Sequence, residues 1–105
     1  MPGKLVLQYL VRAKRLVSDG YWTLIPRKKN LDSLSNLGLS AKDVKTALLS
    51  LEAKDYERGP ELDYSHSGDV WIFKKSVLDT DFYIKLKIDV ANDGTEILKC
   101  LSFHE

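Results

Sequence analysis

The fold is decided by two stretches near the end of the sequence: Phe82-Tyr83-Ile84-Lys85-Leu86-Lys87-Ile88 and Ile97-Leu98-Lys99-Cys100-Leu101-Ser102-Phe103-His104. The first stretch alternates apolar and polar residues with a period of two, which predicts a β-strand with one buried and one solvated face. Between the two stretches lies Asn92-Asp93-Gly94, whose residue types tolerate the positive φ that tight turns need. We therefore expect an antiparallel hairpin.

The apolar residues of the two strands restrict how they pair. Pairing Ile84 with Phe103 also pairs Leu86 with Leu101, whereas a slip by one residue would bury the lysines. The remaining pairs in this register are Tyr83 with His104, Lys85 with Ser102, and Lys87 with Cys100. The polar face then carries Tyr83, Lys85, Lys87, Ser102 and His104. Such a face suits RNA phosphate and acid–base chemistry, but it also fits the ordinary solvated side of a half-buried sheet.

Length and composition are typical of one soluble globular domain, which we expect to span residues 1–105. The single cysteine, Cys100, excludes an internal disulfide and a cysteine-rich zinc site, and it is compatible with a reducing cytoplasm. There is no signal-peptide pattern, and no apolar run approaches the ~20 residues needed to span a bilayer. We therefore expect a cytoplasmic protein with no membrane contact.

Charge is distributed unevenly along the chain. Residues 1–29 contain seven Lys/Arg and one Asp, whereas the remainder contains nine Lys/Arg and fourteen Asp/Glu. This asymmetry permits a local anion-binding surface on a chain whose net charge is only +1. A solvated helix face explains the N-terminal basic residues equally well.

The first half of the chain predicts three helices. They cover Lys4–Ser18, Arg27–Leu37 and Ser40 to about Leu51, with inward stripes formed by Leu5, Tyr9, Ala13, Leu16 and Val17, then by Leu31, Leu34 and Leu37, and then by Val44, Ala47, Leu48 and Leu51. Gly20 and Gly38 suit left-handed C-terminal caps, and Ser40 with Asp43 resembles a capping box.

The other segments are shorter. Tyr21–Ile25 predicts a short strand or extended connector, and Ala53–Tyr56 predicts a helical turn. Arg58–Gly68 predicts a surface loop whose start can pair as an edge strand. Asp69–Lys74 then predicts a strand, and Asp79–Asp81 predicts a turn. Helices followed by a three-stranded meander predict an α+β fold with N-terminal helices packed on one face of an antiparallel sheet.

The sequence contains no metal-ligand spacing, phosphate loop or serine-nucleophile motif, so we expect no metal and no other cofactor. What remains is a basic and aromatic set: Arg58, Lys74, Lys75, Tyr83, Lys85 and His104. Cleavage of RNA without a metal needs an acid or base, fixed cations near the phosphate and a hydrogen-bond donor, and this set contains each type. Each member also has a structural alternative, such as cross-strand packing for Tyr83 and plain solvation for Lys85.

The stretch from about Leu37 to His104 resembles the MqsR family, the motility quorum-sensing regulator toxins. The matching segments are Leu37-Gly38-Leu39, Leu49-Ser50-Leu51, Asp55-Tyr56, Val70-Trp71, Phe82-Tyr83-Ile84-Lys85 and Leu101-Ser102-Phe103-His104. The resemblance covers roughly two thirds of the chain, by the spacing of short motifs rather than by one long one. It implies a RelE-like fold and the toxin component of a type II toxin–antitoxin system, an mRNA interferase.

The resemblance also implies site residues. The family's basic residue after the Asp-aromatic pair corresponds to Arg58, its active-site tyrosine to Tyr83, and its basic residue after Ser-Phe to His104, where histidine retains the capacity for proton transfer. The sequence departs from the family at Ile72, where the family has Gln, and Lys74 is a candidate to supply the lost contact.

These observations predict a metal-independent endoribonuclease with Arg58, Tyr83 and His104 as catalytic residues. Its RNA-binding cations are expected to be Lys74, Lys75, Lys85 and Lys87. The expected partners are mRNA and a cognate antitoxin protein, with the ribosome as a further candidate. Two alternatives remain: a non-catalytic RNA- or ribosome-binding module on the same fold, and a protein-interaction domain that uses the acidic segment Glu57–Asp69.

Overall fold

The computed structural model describes residues 3–63 and 68–105. Its helices are α1 (Gly3–Ser18), α2 (Lys28–Leu37) and α3 (Ala41–Leu49), with a 3-10 turn at Ala53–Asp55, and its strands are β1 (Trp22–Leu24), β2 (Tyr56–Leu62), β3 (Asp69–Val77), β4 (Thr80–Val90) and β5 (Glu96–His104). The strands form one sheet in the order β1-β5-β4-β3-β2. Three helices pack against this sheet, which confirms the predicted α+β class.

The sheet is mixed rather than wholly antiparallel. Strands β2 to β5 form an antiparallel meander, but β1 pairs parallel with β5 through Trp22–Leu98 and Leu24–Cys100. The predicted short strand at Tyr21–Ile25 is therefore confirmed, whereas its parallel place beside β5 was not predicted. A pairing of three residues is too short to leave a readable pattern in the sequence.

Helix α1 covers the sheet with an apolar stripe. Its buried residues are Val6, Tyr9, Leu10, Ala13 and Val17. Leu5 was predicted to face inward, but 57% of its surface is exposed because the stripe runs through Val6 and Leu10 instead. Tyr9 stacks on Trp71 with ring centroids 4.5 Å apart. Burial raises the pKa of the Tyr9 hydroxyl.

Helix α3 begins at the predicted capping box. Ser40 Oγ accepts a hydrogen bond from the Asp43 amide, and the Asp43 carboxylate accepts one from the Ser40 amide at 2.8 Å. These two bonds satisfy backbone donors that the first helical turn leaves free. The predicted inward stripe is confirmed, since Val44, Ala47, Leu48 and Leu51 are all buried.

Helix α2 buries polar residues where leucines were predicted. Leu31 is 48% exposed, so its predicted inward orientation is wrong, while Leu34 and Leu37 are partly buried against the core. The buried residues of this helix are Asn30 and Ser33. The reason is that α2 packs along the edge of β5, where backbone groups require polar partners.

The register of the β4–β5 hairpin is confirmed at one end and wrong at the other. Tyr83 pairs with His104, Ile84 with Phe103 and Lys85 with Ser102, as predicted, but Leu86 pairs with Cys100 and Lys87 with Lys99. The register shifts between Lys85 and Leu86, because β5 has one residue more than β4 at this point. The extra residue, Leu101, forms a β-bulge. Cys100 therefore lies in the core, fully buried.

The start of the predicted surface loop at Arg58–Gly68 pairs as an edge strand, as the sequence allowed, and this strand is longer than predicted. Residues up to Leu62 belong to β2, which pairs with β3 through Arg58–Ile72 and Glu61–Val70 with shifts in register. Gly59, at a φ of +126°, lies so close to β3 that a Cβ atom would come within 2.9 Å of the Val70 carbonyl oxygen. Residues 64–67 of the predicted loop, including His66, lie outside the described residues.

The turn predicted at Asp79–Asp81 lies one residue earlier. Strand β3 continues to Val77, which pairs with Thr80, so the turn consists of Leu78 and Asp79, both with positive φ. The cross-strand pairs of β3 and β4 continue up to this point and shorten the connection to two residues. In the described ranges, no helix is long and apolar enough to cross a membrane.

Candidate active site

The sheet face opposite α1 and α3 carries most of the predicted site residues in two adjacent rows of cross-strand neighbours. One row runs across three strands as Lys74, Tyr83 and His104. The next row runs across four strands as Arg58, Ile72, Lys85 and Ser102. We call this surface, defined by Arg58, Lys74, Tyr83, Lys85 and His104, the basic face. Side chains of alternate residues share a face in a strand, which is why the hairpin register brings these residues together.

Arg58 and Tyr83 are in direct contact. Arg58 Nη2 donates a hydrogen bond to Tyr83 Oη at 3.3 Å, and Arg58 Nε donates to the Glu61 carboxylate at 2.9 Å. The bulge in β2 gives this geometry: the Tyr56 hydroxyl donates to the Gly59 carbonyl at 2.6 Å, immediately beyond Arg58. The guanidinium is thus held over the sheet face while remaining about half exposed.

His104 stacks on Tyr83 from the neighbouring strand. Their ring centroids lie 5.5 Å apart with an interplanar angle of 29°. The Nδ1 atom of His104 lies 3.0 Å from the backbone oxygen of Glu105, an acceptor, so Nδ1 carries the proton in this contact. In the neutral ring, Nε2 is then the proton acceptor, which is the arrangement that a general base requires.

Arg58, Tyr83 and His104 are called the trio from here on. Two lysines flank the trio on the same face. Lys74 is exposed next to Tyr83 in its row, and Lys85 is half-buried next to Ser102. Neither ammonium forms an ion pair with another described residue. Within the described residues, the two charges beside the trio are not neutralised by a carboxylate, and an ammonium is a strong donor to an anion.

The other two predicted RNA-binding lysines lie elsewhere. Lys75 points to the helix side of the sheet, where its Nζ lies 3.6 Å from the Asp55 carboxylate. Lys87 is only 4% exposed, and its Nζ lies 3.0 Å from Asp63 and 3.5 Å from Asp89. The predicted side of the sheet is correct for Lys87, but the Lys87 ammonium is paired with carboxylates of the protein itself.

The lysines and carboxylates around Lys87 form one ionic network. Lys99 Nζ lies 2.7 Å from the second oxygen of Asp89. Burial alone would raise the pKa of Asp89, but the hydrogen bond from Lys99 and the charge of Lys87 together lower it below its ordinary value. These residues and Asp63 line a cleft of about 250 Å³ with Arg27 and Leu101.

Ile72 lies at the centre of the basic face. It is 1% exposed, and it pairs with Arg58 on one side and Lys85 on the other. The apolar side chain of Ile72 lies between the two cations. It offers no hydrogen-bonding group to a ligand. Ile72, the position at which the sequence differs from the family that it resembles, therefore lies within the candidate site.

Three residues near the trio were not singled out from the sequence. Glu61 was included only within the acidic segment Glu57–Asp69, yet its carboxylate accepts a hydrogen bond from Arg58. Asn30 and Ser33 contact the backbone on either side of His104. A polar pair spaced three apart on a helix is the only sequence signal for the latter two, and it is easily taken for solvated surface.

Comparisons with known proteins assign no family. A scan of protein-family models finds no match for the chain, and none of the curated proteins matches it. Among the described residues, no group of three or more His, Cys, Asp or Glu side chains is placed to hold a metal ion. Functional inference therefore rests on the geometry of the basic face and on the resemblance described above.

Proposed function

We propose that the protein is an endoribonuclease that cleaves mRNA by attack of a ribose 2′-hydroxyl on the adjacent phosphorus, without a metal ion. One observation carries this proposal: Arg58, Tyr83 and His104, from three different strands, form a continuous chain of contacts on an open sheet face. An acid–base group, a hydroxyl and a fixed cation within one cluster are what this reaction requires.

We propose a separate role for each of the three residues. Nε2 of His104 accepts the 2′-hydroxyl proton as the O2′–P bond forms, and the P–O5′ bond breaks as the leaving oxygen takes a proton from the Tyr83 hydroxyl or from water. Arg58 stabilises the additional negative charge on the phosphoryl oxygens, and the Tyr83 hydroxyl positions the phosphate or transfers a proton. The products are a 2′,3′-cyclic phosphate and a 5′-hydroxyl.

Lys74 and Lys85 are proposed to hold the flanking phosphates. Both lie next to the trio in the cross-strand rows, so a single-stranded RNA lying across β3, β4 and β5 passes over them. The Arg58–Glu61 pair is exposed and hence weak, which allows a phosphate to displace Glu61 from the guanidinium.

The biological setting is proposed from the resemblance. A cytoplasmic mRNA interferase that inhibits translation acts as the toxin of a type II toxin–antitoxin system, with a cognate antitoxin covering or distorting the basic face. Co-expression with the adjacent gene tests this: a small partner that co-purifies and blocks cleavage supports the assignment, and the absence of any complex contradicts it.

The test of activity is cleavage of a long unstructured transcript in EDTA by the wild type, His104→Ala and Tyr83→Phe. We expect 2′,3′-cyclic or 3′-phosphate ends with the wild type. Removing a general acid–base group should slow cleavage by about 10²–10⁴-fold in His104→Ala. Tyr83→Phe should cleave more slowly with nearly unchanged folding, and full activity in it would remove Tyr83 from the mechanism.

The second candidate is a non-catalytic RNA- or ribosome-binding module, which the apolar Ile72 at the centre of the basic face favours. It predicts salt-dependent RNA binding that is lost in a Lys74/Lys85 double substitution, without strand scission. If the purified wild type does not cleave, the same assay on translating ribosomes separates a ribosome-dependent nuclease from such a module.

A further inference from the structure

The end of β5 lies against a helix rather than against another strand. Strand β1 pairs with β5 only from Leu98 to Cys100, and the amide of Ile25 adds one more bond, to the Cys100 carbonyl. Beyond that point, the backbone of β5 on this edge is met by two side chains of α2, Asn30 and Ser33.

Asn30 substitutes for a neighbouring strand. It is completely buried, and its amide group makes three hydrogen bonds to backbone. Nδ2 donates to the Ile25 carbonyl at 2.8 Å and to the Leu101 carbonyl at 3.1 Å, while Oδ1 accepts from the Phe103 amide at 2.9 Å. Since a buried polar group is costly to leave unpaired, these bonds hold Leu101 and Phe103 firmly in place.

Ser33 continues the same edge one helical turn later. Its Oγ accepts a hydrogen bond from the Glu105 amide at 3.2 Å. The two α2 residues thus hold the amides of Phe103 and Glu105, on either side of His104. On its other edge, β5 pairs with β4 through His104 and Tyr83. The backbone around His104 is therefore held by α2 on one edge and by β4 on the other.

This arrangement extends to the imidazole ring. The same residue whose amide is held by Ser33, Glu105, presents its backbone oxygen to Nδ1 of His104 at 3.0 Å. We propose that Asn30 and Ser33 are positioning residues that set the place and the tautomer of the His104 imidazole. The consequence for catalysis rests on the function proposed above. Apolar attachment of α2 is supplied separately by Leu34 and Leu37, which pack against the core.

The ring itself provides the first readout. Nitrogen-15 spectra of the imidazole report its tautomer, and the carbon-bound ring protons report the ring current of Tyr83. The variants are Ser33→Ala and Asn30→Asp, which keeps an acceptor for Phe103 but loses the donor to Leu101. Ser35→Ala, on the exposed side of α2, is the matched control, and His104→Ala distinguishes the His104 signals from those of His66.

We expect the His104 signals to move toward those of a free histidine in Ser33→Ala and to stay unchanged in Ser35→Ala. Ser33→Thr keeps a hydroxyl and should restore the wild-type signals. If Asn30→Asp does not fold, Ser33→Ala carries the test alone. Unchanged His104 signals in folded Ser33→Ala would overturn the proposal.

Cleavage provides the second readout. In Ser33→Ala the single-turnover rate should fall by between about tenfold and a hundredfold, with an unchanged Kd for RNA, because displacement of a catalytic group affects reaction more than binding. An equal loss of rate in Ser35→Ala would contradict positioning. If the wild type cuts no RNA, the proposed function fails, whereas the ring spectra still decide whether α2 positions His104.

Discussion

Lys85 and Lys87 lie two positions apart on β4 and face the same side of the sheet, yet their environments differ. Lys87 is buried between two carboxylates, whereas Lys85 is half-exposed and close to the trio. A buried ammonium contributes to stability through its partners, and an exposed one contributes mainly to the surface potential. Neighbouring lysines of one strand should therefore have separable roles.

Replacing each lysine by methionine tests this separation. Lys87→Met removes an ammonium from Asp63 and Asp89 and should lower the free energy of unfolding by about 1–3 kcal/mol, less than for a fully buried pair because Asp89 is partly exposed. Lys85→Met should leave urea unfolding nearly unchanged and weaken RNA binding with a reduced salt dependence. The reverse pattern would show that the two roles are exchanged.

At the same scale, the sequence was sufficient to bring Arg58, Tyr83 and His104 forward, and the structure places them in contact. Strand parity and cross-strand pairing, which are readable from the order of residues, placed Tyr83 beside His104. Arg58 was singled out by its residue type and by the family resemblance. The partners that a charge selects are not readable in this way. Lys87 and Lys75 look like surface cations until distant carboxylates, at Asp63 and Asp55, come close in the fold.

At the scale of the element, α3 is the case in which local chemistry decides the structure. The Ser40–Asp43 box marks its first turn, and the hydrogen bond from the Ser40 amide lowers the pKa of Asp43. The same hydrogen bond is one of the two that make up the box. Because all partners lie within four residues, this helix start was predicted correctly from the sequence.

The cap can be tested by substitution. Ser40→Ala removes the side-chain acceptor of the Asp43 amide and should destabilise the protein by about 1 kcal/mol, as N-cap substitutions usually do. Thermal or urea unfolding followed by circular dichroism measures the change. Ser35→Ala, within α2 and exposed, should be neutral or slightly stabilising because alanine is the better helix former. Equal effects of the two substitutions would show that the box adds nothing.

Helix α2 shows the opposite case. Its leucines suggested an ordinary apolar stripe, but its buried side is formed by Asn30 and Ser33 because it lies against the edge of a strand. Whether a helix faces side chains or open backbone depends on tertiary arrangement, and residue periodicity contains no such information. The boundaries of α2 were therefore predictable, and the function of its buried side was not.

At the scale of the whole molecule, the core closes around a single thiol. Cys100 is completely buried in the cluster that joins α1, α3 and the sheet. Burial raises the pKa of this thiol to about 12. In the native protein this thiol is therefore protonated at pH 8, whereas the thiolate is the form that reacts with disulfide reagents.

Labelling with a chromogenic disulfide at pH 8 should therefore report global opening. We expect the one thiol to react at once in concentrated urea and at least about a thousandfold more slowly in native buffer. Lys87→Met, which is less stable, should react faster than the wild type in native buffer. Rapid labelling of the native wild type would mean that the core around Cys100 opens without unfolding.

The arrangement of the whole sheet was predictable only in part. The meander from β3 to β5 follows from strand alternation and turn chemistry, which are local. The parallel contact of β1 with β5 joins residues more than seventy positions apart, and it involves three pairs. Such a contact is selected by the way α1 packs on the sheet, so no short stretch of sequence specifies it.

The extra residue in β5 has a consequence for how this chain tolerates insertion and deletion. Leu98 and Cys100 point into the core, and two-residue counting from them would also send Ser102 and His104 inward. Leu101 shifts the count by one, so that Phe103 fills the core and His104 joins Tyr83 on the other side. The single extra residue thus changes which residues point inward: even-numbered residues of β5 do so before it, and the odd-numbered Phe103 does so after it. Deleting Leu101 would therefore restore plain alternation, with Cys100 and Phe103 still inward and Ser102 and His104 still outward, whereas deleting any other residue between Cys100 and His104 would have to be absorbed by the bulge.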